Sequence, residues 1–109
     1  MTDKKRSQRV ASAAVQVALI AFVASTAKAQ TPNAADVRLW AASCAACHGT
    51  NGKASGAGLH IAGKPVKDLY NDLMGYKAGT KTATVMHQHA KGYSDNELRL
   101  LAEHFSNIK

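Results

Sequence analysis

The chain contains few of the residues that form zinc clusters, redox dithiols or large aromatic cores. Its 109 residues include two cysteines, one tryptophan, three tyrosines and two phenylalanines. A zinc ribbon needs a second cysteine pair or a histidine pair at suitable spacing, so two cysteines disfavour it. A thioredoxin-like dithiol needs a βαβ setting, and the sequence after residue 29 has no alternating β-branched run that predicts a central strand.

The chain also lacks a dense basic stripe interleaved with aromatic residues, although its formal net charge is +7. Five of the 14 basic residues and one of the seven acidic residues precede residue 30, which leaves nine and six, or +3, for residues 30–109. We therefore predict no nucleic-acid partner. The later lysines either attract an acidic protein partner or are ordinary solvated side chains. These lysines are Lys64, Lys67, Lys77, Lys81 and Lys91.

The first 29 residues have the pattern of a secretory signal peptide. Residues 4–9 include four basic side chains, residues 10–23 are mostly apolar, and residues 27–29 form a small-x-small cleavage site. An uncleaved membrane anchor is the alternative, but two polar residues interrupt the apolar run. We predict cleavage near Ala29, a single mature domain over residues 30–109, a bacterial periplasmic location and no stable membrane insertion after cleavage.

The two cysteines lie in the motif Cys44-Ala45-Ala46-Cys47-His48. Residues three apart lie on the same side of a helix, so both sulfurs can reach one edge of a haem while the next residue approaches the iron. This is the attachment pattern of a c-type haem. The motif predicts one covalently attached haem c, with thioether bonds to Cys44 and Cys47 and with His48 as an iron ligand.

The sixth iron ligand has few candidates. Apart from the initiator, the methionines are Met74, on the apolar face of a predicted helix, and Met86, in an extended stretch over residues 82–86. A thioether ligand raises the reduction potential, whereas a second histidine lowers it. The sequence favours Met86, with bis-histidine ligation through His87 or His89 as one alternative. An open site, typical of a ligand-binding sensor or a peroxidase-like enzyme, is the other.

The remaining pattern predicts an all-α domain with three main helices. The first helix follows a cap at Thr31 or Asn33 and extends from about residue 34 to 47; the second follows Pro65 and ends at Gly79. The third follows the capping box Ser94-Asp95-Asn96-Glu97. Helically spaced apolar residues mark the faces that enter the core. They are Val37, Trp40, Ala41 and Cys44; Val66, Leu69, Tyr70, Leu73 and Met74; and Leu98, Leu101, Ala102 and Phe105.

Several segments together resemble the small class I cytochromes c. They are Cys44 to Gly49, Ile61-Ala-Gly63 with Leu69-Tyr70, Thr84-Val-Met86, Ala90 to Asp95, and Leu101-Ala102 with Phe105. The resemblance is to the branch that includes monohaem periplasmic cytochromes c-553 and the cytochrome subunit of flavocytochrome c sulfide dehydrogenase. The resemblance implies a fold of three main helices around one covalent haem, with the first and third helices crossing near its edge.

The resemblance also implies roles for individual residues. Cys44 and Cys47 carry the haem, His48 is the proximal ligand and Met86 the distal one. Two positions depart from the pattern of related sequences. Leu59 stands where they usually have a proline that helps to orient the proximal histidine, and Lys81-Thr82 stands where they commonly have Arg-Pro.

Three functions are consistent with this pattern. The first is a periplasmic carrier of single electrons between redox partners, such as a flavoprotein or a membrane cytochrome complex. The second is the haem subunit of a flavocytochrome c-type sulfide dehydrogenase. The third is a haem sensor or peroxidase-like enzyme in which Met86 is labile. We expect an electron carrier rather than an enzyme.

Overall fold

A computed structural model describes residues 29–109, which contain four α-helices and no β-strand. The predicted signal peptide, residues 1–29, lies outside the described residues except for its last position. Within the described part of the chain, no helix has both the length and the hydropathy needed to cross a bilayer. The all-α prediction is confirmed. The helices are α1 (Ala34–His48), α2 (Val66–Ala78), α3 (Met86–Lys91) and α4 (Asp95–Ser106), with a 3₁₀ turn at Thr50–Gly52.

Reciprocal side-chain caps begin both α1 and α4. The Asn33 side-chain oxygen accepts from the N–H groups of Ala35 and Asp36 at 2.7 and 3.2 Å, and the Asp36 carboxylate accepts the Asn33 N–H at 2.8 Å. Ser94 and Glu97 make the equivalent pair at 3.3 and 2.7 Å. Each box satisfies backbone N–H groups that a helix start leaves unpaired. Of the two predicted caps for the first helix, Asn33 is the one used.

The second helix begins and ends as predicted, but one of the residues predicted to enter the core is exposed. Pro65 precedes α2, and Gly79 ends it in the left-handed conformation at φ 76°. Leu69 is buried, and Tyr70, Leu73 and Met74 pack against the core. Val66, the first residue of the helix, is exposed instead.

Helix α3 was not predicted, and the extended stretch assigned to residues 82–86 is wrong at its end. Met86 is the first residue of α3, where the Val85 carbonyl accepts from the N–H groups of Gln88 and His89 at 2.9 and 3.3 Å. Ala90 is almost fully buried, and α3 packs against α2. Tertiary packing therefore stabilises this short helix, which lacks a side-chain cap.

Helix α4 lies at the centre of the domain. It packs against both α1 and α2, and its Leu98 has no solvent exposure. The contact between α1 and α4 joins the two elements that the resemblance pairs as the first and third predicted helices. The buried cluster is formed by Ala41, Leu69, Leu98, Leu101, Ala102 and Phe105.

Candidate functional site

The last turns of α1 bring the two thiols and His48 together. Cys44 is partly buried against the core, with its sulfur 3.8 Å from the Trp40 carbonyl oxygen, whereas Cys47 is exposed. Burial raises the pKa of the Cys44 thiol, an effect that its hydrogen bond with Ser43 partly offsets. The pair therefore provides one sulfur at the edge of the core and one at the surface, on the same side of the helix.

The imidazole of His48 is oriented by a backbone carbonyl. Its Nδ1 lies 2.6 Å from the carbonyl oxygen of Leu59. Because a carbonyl oxygen can only accept a hydrogen bond, Nδ1 carries a proton, and in the neutral ring Nε2 has the lone pair. Metal-binding histidines commonly donate their other N–H to a carbonyl in this way, which fixes the ring and raises its basicity. His48 is therefore prepared to bind a metal through Nε2.

The loop after α1 places the Leu59 carbonyl. The Gly52 carbonyl accepts from the N–H groups of Ile61 and Ala62 at 2.9 and 3.2 Å, and the Leu59 N–H donates to the Gly56 carbonyl at 3.1 Å. Leu59 is the residue at which the family resemblance leads one to expect proline. The partner of His48 is the main-chain oxygen of residue 59, so leucine can provide the same hydrogen bond as proline. The Leu59 N–H also closes a turn on the Gly56 carbonyl, which proline cannot do because it has no N–H.

The predicted distal ligand lies on a different element. Met86 and His87 are partly buried on α3, and His89 is exposed. α3 packs against α2, whereas the Cys44–His48 segment belongs to α1, which packs against α4. Met74 packs against the core cluster, in agreement with a filling role. The choice of Met86 over His87 and His89 remains a prediction.

Two lysines have roles that their sequence positions did not indicate. Lys77 donates to the Tyr93 carbonyl and to Asp95, both at 2.7 Å, and Lys81 donates to Asp72. Lys77 and Asp95 are 18 residues apart in the sequence, and Lys81 and Asp72 are nine residues apart. Both separations exceed the three- and four-residue spacings that indicate contact on one helix. No local pattern therefore reveals either pair.

The residues present suit a covalently attached haem. Two thiols one helical turn apart can form two thioether bonds, and the imidazole beside them has a free Nε2 directed by its bond to Leu59. All three side chains project from a single helix with a satisfied cap at each end, because the Gly49 N–H closes the last turn on the Ala45 carbonyl at 2.9 Å. The helix thus supplies a fixed base for the group.

Comparison with known proteins gives a consistent family. The profile described as "Cytochrome c" matches residues 37–108. The "Cytochrome subunit of sulfide dehydrogenase" of Chlorobaculum tepidum is 46% identical over 66 residues, which cover 61% of this chain and 60% of that protein. "Cytochrome c-553" of Helicobacter pylori is 35% identical over 78 residues, covering 70% and 81% respectively. "Cytochrome c-553" of Nitratidesulfovibrio vulgaris is 34% identical over 71 residues, covering 61% and 70%.

These matches agree with the site geometry. The matched range includes Cys44, Cys47 and His48 as well as all of α2, α3 and α4. A cytochrome c domain implies covalently attached haem c, and Cys44 and Cys47 fit its attachment motif. The chain therefore belongs to the cytochrome c family.

Proposed function

We propose that the protein carries single electrons through one haem c attached to Cys44 and Cys47, with His48 and Met86 as the axial iron ligands. The observation that carries this proposal is the 2.6 Å contact between His48 Nδ1 and the Leu59 carbonyl, which leaves Nε2 available beside both thiols. When bound, haem c supplies a one-electron iron couple whose potential depends on the axial ligands and their surroundings.

The chain's contribution is to hold the ligands still and limit access of water. The carbonyl of Leu59 restrains rotation of His48, and a ligand that keeps its position in both oxidation states adds little structural rearrangement to electron transfer. Trp40, Leu73 and Met74 extend the apolar surface around the buried cluster. These residues would screen one side of the site and leave the surface near the exposed Cys47 for contact with a partner.

The free lysines favour an acidic redox partner in the periplasm. Lys77 and Lys81 are paired with Asp95 and Asp72, whereas Lys64, Lys67 and Lys91 are exposed and form no salt bridge within residues 29–109. Exposed positive charges accelerate association with an acidic surface, in a manner that salt weakens. The predicted signal peptide supports the location.

A haem subunit of a sulfide dehydrogenase is the second candidate. It is supported by the relative from Chlorobaculum tepidum, which shares 46% identity but is matched over 60% of its length. In that case a flavoprotein would be the fixed partner. Native purification separates the two proposals: a flavin-containing chain that elutes with the haem supports the fixed subunit, and a haem protein that elutes alone supports the free carrier.

Replacing the two methionines tests the distal ligand. We expect Met86→Ala to keep covalent haem but lose the weak far-red absorption of a methionine–iron bond in the ferric protein, because the thioether is removed. The matched variant Met74→Ala should keep both features and cost about 2 kcal/mol of unfolding free energy, since Met74 fills space at the core. Absorption spectra and denaturant titrations measure these effects.

The opposite behaviour of the two variants would overturn the ligand assignment. A wild-type ferric protein without the far-red band, and with direct binding of small ligands, would instead support the sensor or peroxidase-like alternative.

A further inference from the structure

The segment that leads to α3 is tied to the rest of the fold at one point. After α2, residues 80–85 form a connecting segment without helix or strand. The N–H groups of Thr80 and Lys81 donate to the Gly75 carbonyl at 2.9 and 3.1 Å. Within residues 29–109, the N–H groups of residues 82–84 donate to no backbone carbonyl. Lys81 is therefore the last residue whose backbone N–H is fixed before α3.

The side chain of Lys81 makes a second attachment to α2. Its ammonium group donates to the Asp72 carboxylate and lies 5.2 Å from the centre of the Tyr76 ring. Both partners are on α2, one turn apart, and the side chains of the ion pair are about half exposed. Gly75 lies between them, and a Cβ atom there would be 3.1 Å from Lys81 Cβ. The glycine therefore allows the lysine to lie close to the helix.

The far side of α3 is already restrained. Lys77 Nζ lies 2.7 Å from both the Tyr93 carbonyl oxygen and a carboxylate oxygen of Asp95, so it binds the turn that follows α3 to α2. α2 therefore binds both flanks of α3: its Asp72 pairs with Lys81 before α3, and its Lys77 pairs with Asp95 after it. The freedom that remains is in residues 82–85.

We propose that Lys81, through Asp72 and Tyr76, is a positioning residue that holds the connecting segment and so limits the departure of Met86 from the iron. This rests on the proposed ligand role of Met86. Thr82 does not fix the backbone φ angle as a proline would, so the attachment of Lys81 is the restraint on this segment before α3.

The competition between Met86 and an added ligand measures this effect. An external base binds the ferric iron only when Met86 has moved away, so its apparent affinity is proportional to the open fraction. Loss of a local attachment raises that fraction without an equal loss of global stability. Imidazole is a suitable probe because it is a small nitrogen base that is neutral above its own pKa.

The test uses the ferric holoprotein with the variant Lys81→Gln and the matched control Lys67→Gln, which removes the same charge from an exposed lysine without a salt bridge in the described residues. We expect imidazole affinity to rise about threefold to tenfold in Lys81→Gln, the range set by an exposed ion pair together with a cation–π contact. Lys67→Gln should match the wild type. The unfolding midpoint is measured in parallel.

A charge exchange gives an independent check. The double variant Asp72→Lys with Lys81→Asp restores an ion pair with reversed polarity, and we expect it to recover most of the wild-type resistance to imidazole, whereas each single change should not. Equal imidazole affinities in Lys81→Gln and Lys67→Gln, or a rise fully accounted for by lost global stability, would overturn the proposal. A wild-type protein without the methionine–iron band would overturn the ligand role of Met86 itself.

Discussion

At His48, the position of one proton determines which ring nitrogen can bind iron. The Leu59 carbonyl accepts from Nδ1 at 2.6 Å, so Nε2 is the free nitrogen. Because the acceptor is a main-chain atom, the side chain at position 59 is not part of the contact. Leucine at position 59 is therefore compatible with this contact. What matters is the path of the backbone between α1 and α2.

Gly52 is the residue on which that backbone path depends most directly. Its φ is 73°, and a Cβ atom there would lie 2.7 Å from Ile61 Cγ1 and 2.9 Å from Phe105 Cδ1. We expect Gly52→Ala to lower the unfolding free energy by about 3 kcal/mol, through a left-handed backbone and a collision with a buried ring. Denaturant titration of the ferric holoprotein measures this loss.

Gly58 provides the matched control for Gly52. It has a nearly equal φ of 74°, but a Cβ atom there would have no neighbour within 4 Å. Gly58→Ala should therefore cost about 1 kcal/mol, the backbone term alone. Similar losses in the two variants would mean that the contacts with Ile61 and Phe105 add nothing to the requirement for glycine at position 52.

At the scale of elements, three of the four described helices could be predicted because their signals are local. Asn33 and Ser94 begin α1 and α4 with capping boxes, and Gly79 ends α2 in the left-handed conformation. α3 has six residues, no side-chain cap and a single buried residue, Ala90. Its sequence has no apolar period long enough to indicate a helix, so its formation depends on contact with α2.

The candidate site divides in the same way. Cys44, Cys47 and His48 lie within five consecutive residues, so the haem-attachment motif could be recognised from the sequence. The attachment of Lys81 to Asp72 and Tyr76 was not, since it depends on how the chain returns to α2 after Gly79. The spacing of apolar residues along one helix does not indicate where the following segment folds back against that helix.

At the scale of the whole domain, the buried core is small for the length of chain that it stabilises. Nine apolar residues among positions 29–109 are buried, and four of them are alanines. Leu98 is the one large side chain in this range with under 2% exposure. Single domains of about 80 residues are marginal without a disulfide, a metal or another covalent staple. The two cysteines form no disulfide with each other and suit thioether bonds, so haem attachment is the staple that this chain can form.

Loss of haem attachment should therefore cost more than loss of one cofactor contact. We expect the double variant Cys44→Ala and Cys47→Ala to lose most of its far-ultraviolet helix signal and its cooperative thermal transition, because the remaining core cannot offset chain entropy. Ala46→Ser, an exposed change within the same motif, should keep haem and melt like the wild type. For a domain of this size, about 1 kcal/mol shifts the melting temperature by about 4 to 8 °C. If the double variant melted cooperatively within about 8 °C of the wild type, haem would contribute no more than about 2 kcal/mol and the protein core alone would sustain the fold.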